Sequence, residues 1–125
     1  LVVCGAHLEG LPLNWQLTRR GSTLLKRTQT APYYKLFALS HEAPMRPGMI
    51  RDDEQGGAIE VEVWRVPSSE LGSFLEAIPA PLGLGKVELS DGRWYTGFIC
   101  EASALLGAQD ITAHGSWRAW LSSLS

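Results

Sequence analysis

Ile59-Glu60-Val61-Glu62-Val63-Trp64 alternates apolar and acidic side chains from Ile59 to Val63 and closes on Trp64. That is the period of a β-strand with two unlike faces. Downstream, Pro67-Ser68-Ser69-Glu70 stops the strand and opens a helix that either serine can cap. Leu71, Phe74, Leu75 and Ile78 supply its apolar stripe, and Pro79 ends it. Residues 86–89, the turn Ser90-Asp91-Gly92 and residues 93–100 read as a β-hairpin. In the tail, Trp117, Trp120 and Leu121 recur at helical spacing, which predicts a closing helix over 115–124. Upstream, the apolar run 1–4 and the aromatic-rich run 33–39 read as strands, and 14–20 and 22–27 as a short helix or turn and a second strand. Thr30-Ala31-Pro32 marks a break, and 40–57 a long polar loop with a short strand at Met49-Ile50-Arg51. Five or six strands against two or three short helices, mostly with short links, predict an α+β domain. The expected form is a small mixed or antiparallel β-barrel with flanking helices, a single domain over 1–125.

A chain of 125 residues, 45% of them hydrophobic, is enough for one core. A net charge of −2 provides no basic field for nucleic acid or an anionic membrane. No apolar run approaches the length of a membrane span, and the start lacks the features of a signal peptide. The absence of an initiator Met, with a strand at the very start, suggests a piece of a longer chain. Cys4 and Cys100 sit in apolar runs without partners at metal-ligand spacing, which predicts free thiols in the cytoplasm. No metal or cofactor is expected, and nucleotide-binding glycine loops and a Gly-x-Ser-x-Gly elbow are missing.

Activity would therefore come from a pocket. His7 follows a strand, in a loop that holds Gly5 and Gly10, where functional groups concentrate. Its imidazole can move a proton near neutral pH, although a histidine satisfied by backbone is the plainer reading. His41 reads as solvent-facing and His114 as a cap of the last helix. Asn14 and Gln16 lie among apolar residues, so their amides need partners; Asn14 could instead cap a helix. Arg19 and Arg20 could hold a carboxylate. Tyr33 and Tyr34 must face opposite ways, and Glu60 and Glu62 share one strand face, a site if that face is covered.

Gly5-Ala6-His7-Leu8-x-Gly10-x-Pro12-Leu13-Asn14-x-Gln16-Leu17 resembles the opening of the carboxy-terminal domain of allophanate hydrolases. The similarity continues through Arg20-Gly21, Thr30-Ala31-Pro32-x-Tyr34, the Ile59–Trp64 strand and Ile78-Pro79-Ala80-Pro81-Leu82-Gly83-Leu84-Gly85. It closes at Asp110-Ile111-Thr112-x-x-Gly115-x-Trp117-Arg118 and so covers nearly the whole chain. The resemblance implies a γ-glutamylcyclotransferase-like fold. Cyclotransferases use a carboxylate base in mid-chain, whereas here Glu76 is the only nearby acid and lies on a helix, so that activity is not expected. The resemblance implies instead decarboxylation of N-carboxyurea, left by an amidase domain in the same or a partner chain, to urea and carbon dioxide. His7 would be the proton-transfer group, inside a closed, amide-lined hollow with room for a urea-sized acid. Gly5, Ala6 and Leu8 would line it, Asn14, Gln16 and Tyr34 orient the urea, Arg20 hold the carboxylate, and Glu62 join from the barrel interior. Two alternatives stand beside this. One is an assembly module without chemistry, a homodimer among its forms, since the chain has five Trp and Trp94 and Tyr95 sit on the hairpin. The other is a free-standing relative that binds another small acid.

Overall fold

A computed structural model describes residues 1–39 and 44–125. His41 lies outside the described residues. The chain runs β1 (Val2–Val3), α1 (Trp15–Thr18), β2 (Thr23–Gln29), β3 (Tyr34–Ala38), β4 (Pro47–Arg51), β5 (Glu60–Arg65), α2 (Ser68–Glu76), β6 (Leu82–Glu88), β7 (Trp94–Cys100), β8 (Gln109–Asp110) and α3 (Trp117–Ser123). One sheet has the order β2-β5-β1-β7-β6 and a second the order β4-β3-β8.

A two-residue strand, β1, holds the centre of the larger sheet. Val2 and Val3 have no exposure at all, as two-sided burial of a central strand requires. β1 pairs antiparallel with β5 and parallel with β7, so the sheet is mixed. β5 lies between β1 and β2, with Glu62 opposite Val3 on one side and Arg27 on the other. β6 and β7 form a hairpin closed by the Asp91-Gly92 turn, where Gly92 has a φ of 80° that favours glycine.

The sheets do not close into the expected barrel. The ends of β2 and β6 meet only at the isolated bridge between Thr30 and Leu89. Pro32 cannot donate to a ladder and the hairpin turn begins at Ser90, so pairing stops there. Three local expectations also change. β6 starts at Leu82 rather than at residue 86. Pro67 itself takes the cap position of α2, so neither serine caps it. α3 is capped by Ser116, whose Oγ accepts from the Ala119 N–H at 3.0 Å, and not by His114. Gly115, at φ 72°, ends the short 3-10 turn that contains His114.

The core is filled by Leu17, Leu36, Met49, Ile59, Phe74, Val87, Leu89, Ile111 and Trp117, drawn from both sheets and all three helices. The fold thus directs the end of β1 straight into the loop that carries His7.

Candidate functional site

The β1–α1 loop is a series of tight turns. Leu8 N–H donates to Gly5 C=O, Leu11 N–H to Leu8 C=O and Leu13 N–H to Ala6 C=O. These bonds give the carbonyls of Gly5, Ala6 and Leu8 their partners in a segment in which Gly5, Ala6, His7 and Leu8 are all buried. Asn14 stands at the start of α1 but makes no side-chain cap; its Nδ2 donates to the His7 carbonyl at 2.8 Å. Gly5 is needed where it stands, because a Cβ there would lie 2.5 Å from Pro47 Cγ and closer still to Cδ. The missing side chain lets the loop close on β4.

His7 is 7% exposed. Its ring stacks on Phe98 of β7 at 4.9 Å between centroids and meets the edge of Phe74 of α2 at 5.3 Å. Nε2 lies 2.7 Å from Gln16 Oε1. A neutral ring that donates from Nε2 leaves Nδ1 as its acceptor. Burial pushes the His7 pKa below its ordinary value. The Gln16 bond opposes this, and the positive charges of Arg46 and Arg20 reinforce it. The imidazole is therefore neutral at neutral pH.

Arg20 is tied to the same unit. Its Nη1 donates to the Gln16 carbonyl at 2.9 Å and its Nε to Ser73 Oγ at 3.1 Å, and its guanidinium sits 5.7 Å from the Phe74 ring centre. Gln16, Arg19 and Arg20 line an open cleft of about 350 Å³ with Trp15, Glu70, Ser73 and Ala77. Separately, His7, Cys4, Gly5, Ala6, Arg46, Pro47, Leu82 and Phe98 line a cavity of about 20 Å³. That is room for about one water. The expected hollow for a urea-sized acid is thus much smaller in this conformation, and Gln16 is the side-chain amide bonded to the ring. Burial, with Cys100 nearby, pushes the Cys4 thiol up to about 12, so this side chain is uncharged.

Tyr34 and Glu62 stand outside the His7 cavity. The Tyr34 hydroxyl accepts from the Glu88 N–H at 2.9 Å and lies 3.5 Å from Arg51 Nη1. Glu62 is 2% exposed, while Glu60 on the same strand is exposed. Oε1 of Glu62 accepts from the Glu9 N–H at 2.8 Å and Trp64 Nε1 at 3.1 Å; Oε2 accepts from Arg118 at 3.0 Å and Arg27 at 3.3 Å. Burial alone would raise its pKa, but these four donors hold it below the usual carboxylate range. A second cleft, of about 270 Å³, runs past Glu60, Glu62, Arg27 and Arg118. Among the described residues no group of three or more His, Cys, Asp or Glu side chains is placed to hold a metal ion, and no helix is long and apolar enough to cross a membrane.

Sequence reasoning missed Arg46. It is a lone basic residue before Pro47, with no motif around it, and only the approach of β4 to Gly5 brings it to His7. Phe74 and Phe98 were legible as apolar positions, but not as the two rings that hold the imidazole.

Comparison with known proteins supplies an independent line. The family model described as "Allophanate hydrolase C-terminal domain" matches residues 1–122. Urea amidolyase of Saccharomyces cerevisiae is 46% identical over 128 residues, covering 99% of this chain and 7% of that protein. The Kluyveromyces lactis allophanate hydrolase structure superposes with a TM-score of 0.95 at 40% identity, over 99% of this chain and 21% of that one. A crystallised uropathogenic E. coli-specific protein matches with a TM-score of 0.90 at 32% identity, over 97% of this chain and 93% of that one. The fold therefore occurs in a chain of nearly the same length, and also as a small part of much longer ones.

Proposed function

Since the chain belongs to the allophanate hydrolase C-terminal domain family, we propose that it promotes the decarboxylation of N-carboxyurea to urea and carbon dioxide, with His7 as the proton-transfer group. The observation that carries this is the His7 ring itself: neutral, held between Phe74 and Phe98, bonded to Gln16 and bordered by two arginines. A carbamate loses carbon dioxide once its nitrogen is protonated. An anion entering beside the ring opposes the desolvation that keeps it neutral and draws a proton onto it. The imidazolium then gives that proton to the carbamate nitrogen. The carbon–nitrogen bond breaks with its electron pair left on nitrogen, carbon dioxide and urea leave, and the ring is again the neutral imidazole of the resting site.

In this reading Gly5, Ala6 and Leu8 shape the pocket wall, Asn14 fixes the backbone of His7 and Gln16 fixes its ring. Arg20 anchors Gln16 and steers the anion, while Tyr34 and Glu62 support the frame around the site. The 1–125 stretch acts as one domain beside an amidase domain in the same or a partner chain, in the cytoplasm, where Cys4 and Cys100 stay reduced. Replacing His7 with Ala in a coupled assay, with an amidase domain supplying N-carboxyurea, tests this. Release of carbon dioxide should fall to the separately measured uncatalysed rate, and release at the wild-type rate would reject the mechanism.

A second reading, a module that assembles with another protein or with itself, draws on one surface. Arg51 lies between Tyr33, at 4.9 Å, and the half-exposed Trp94, at 5.0 Å, and Arg, Tyr and Trp are the side chains that dominate interfaces. A monomeric sedimentation profile at high concentration would count against self-association.

A further inference from the structure

We propose that Arg46, not Arg20, grips the carboxylate of the acid bound beside His7, so that the pocket selects a small planar anion with an amide end. This rests on the His7 site being the ligand site, and it assigns the charged half of that ligand. Arg46 immediately precedes β4, and its carbonyl accepts from the Leu39 N–H at 3.2 Å. The contact between Gly5 and Pro47 sets it against the His7 loop. Its Nε is buried with no hydrogen-bond partner among the described residues, and its positive charge bears on the His7 ring. A buried guanidinium nitrogen without an acceptor is costly unless a ligand supplies one. None of the described residues around the cavity is acidic, and the Cys4 thiol is neutral there. Arg20 is differently placed, with its Nε and Nη1 committed to Ser73 and Gln16.

An Arg fork takes a carboxylate through two parallel N–H···O bonds, which suits a planar carbamate and fixes its plane. The cavity as it stands is too small for the acid. Arg46, a half-buried side chain on its wall, can widen it by moving outward with its fork on the incoming oxygens. The same movement opens space beside the neutral ring, so the group that binds the anion also governs access to the proton donor.

Malonamate tests the assignment. It has a methylene where N-carboxyurea has its nitrogen, so it keeps the length, the amide end and the charge without the labile bond. Malonamide is its uncharged counterpart. Binding of each to the chain is followed by NMR titration. Wild type should prefer malonamate by about 10- to 100-fold, the scale of a charged hydrogen-bond pair. Arg46→Gln should erase that preference and Arg20→Gln should retain it. Equal binding of the two probes by wild type, or loss of the preference in Arg20→Gln instead, overturns the proposal. If Arg46→Gln does not fold, the Arg46 Nε–H resonance of wild type decides. Malonamate should move it and malonamide should not, and a resonance indifferent to saturating malonamate overturns the assignment. Arg46-dependent binding together with His7-independent carbon dioxide release would remove the decarboxylation and leave the anion site. Loss of activity in His7→Ala with no charge preference would do the reverse.

Discussion

Gly5→Ala tests the geometry on which the site depends. The added Cβ would lie 2.5 Å from Pro47 Cγ. Carbon–carbon contacts relax only at about 3.5–4.0 Å, so the loop and β4 must separate by about 1 Å. A proline ring cannot rotate away, as the end of a long side chain could. Overpacking of this kind costs about 1–3 kcal/mol. For a domain of this size that lowers Tm by about 4–12 °C. The functional loss should be larger than the loss of stability, because Arg46 adjoins Pro47 and moves with it away from His7. A displacement of about 1 Å in a catalytic arrangement can cost about 100-fold in rate. Thermal unfolding followed by circular dichroism measures the first effect, and the coupled carbon dioxide assay well below Tm measures the second. Gly72→Ala is the control: a Cβ there meets nothing within 4 Å. It lies in α2, so the change should stabilise by about 0.5–1 kcal/mol. A Gly5→Ala variant with wild-type Tm, or one that unfolds early yet retains full activity at low temperature, would refute the reasoning.

Two further predictions concern buried charge. Glu62→Ala strands the Trp64 indole N–H and the Glu9 N–H and should cost about 3–5 kcal/mol in urea unfolding. Glu62→Gln keeps an oxygen for those two donors and should cost less than half as much; equal costs would show that the arginine pairs dominate. In pH, the folded-state pKa of His7 lies below its unfolded value of 6.5, so the unfolded chain takes up the proton first. Stability should be complete above pH 6.5 and decline as pH falls from there through the folded pKa. Glu62, also depressed, adds a separate loss below its unfolded value of 4.5. In His7→Gln the upper loss should vanish and the lower one remain, and an unchanged upper limb would remove His7 as its source.

Some features were legible in the sequence because they are local. The alternation of residues 59–64, the Asp91-Gly92 turn, the stripe of α2 and the spacing of Trp117 and Trp120 each depend on neighbours along the chain, and each element formed. Tyr33, just before β3, is exposed and Tyr34, its first residue, is buried, as alternation along an extended run leads one to expect. The motif around His7 likewise pointed to the family without coordinates. Long-range pairing decided the rest. Whether the sheet closed depended on how β2 and β6 ended, and Pro32 and the Ser90 turn stopped them at one bridge. Glu60 and Glu62 look alike in sequence, yet Arg118, far along the chain, covers only Glu62. Arg46 carries no signal of its own; it reaches the His7 loop because Gly5 has no side chain where Pro47 must pack. Periodicity specifies which face of an element is apolar, but only packing across the fold specifies what that face meets, and the site is made of such meetings.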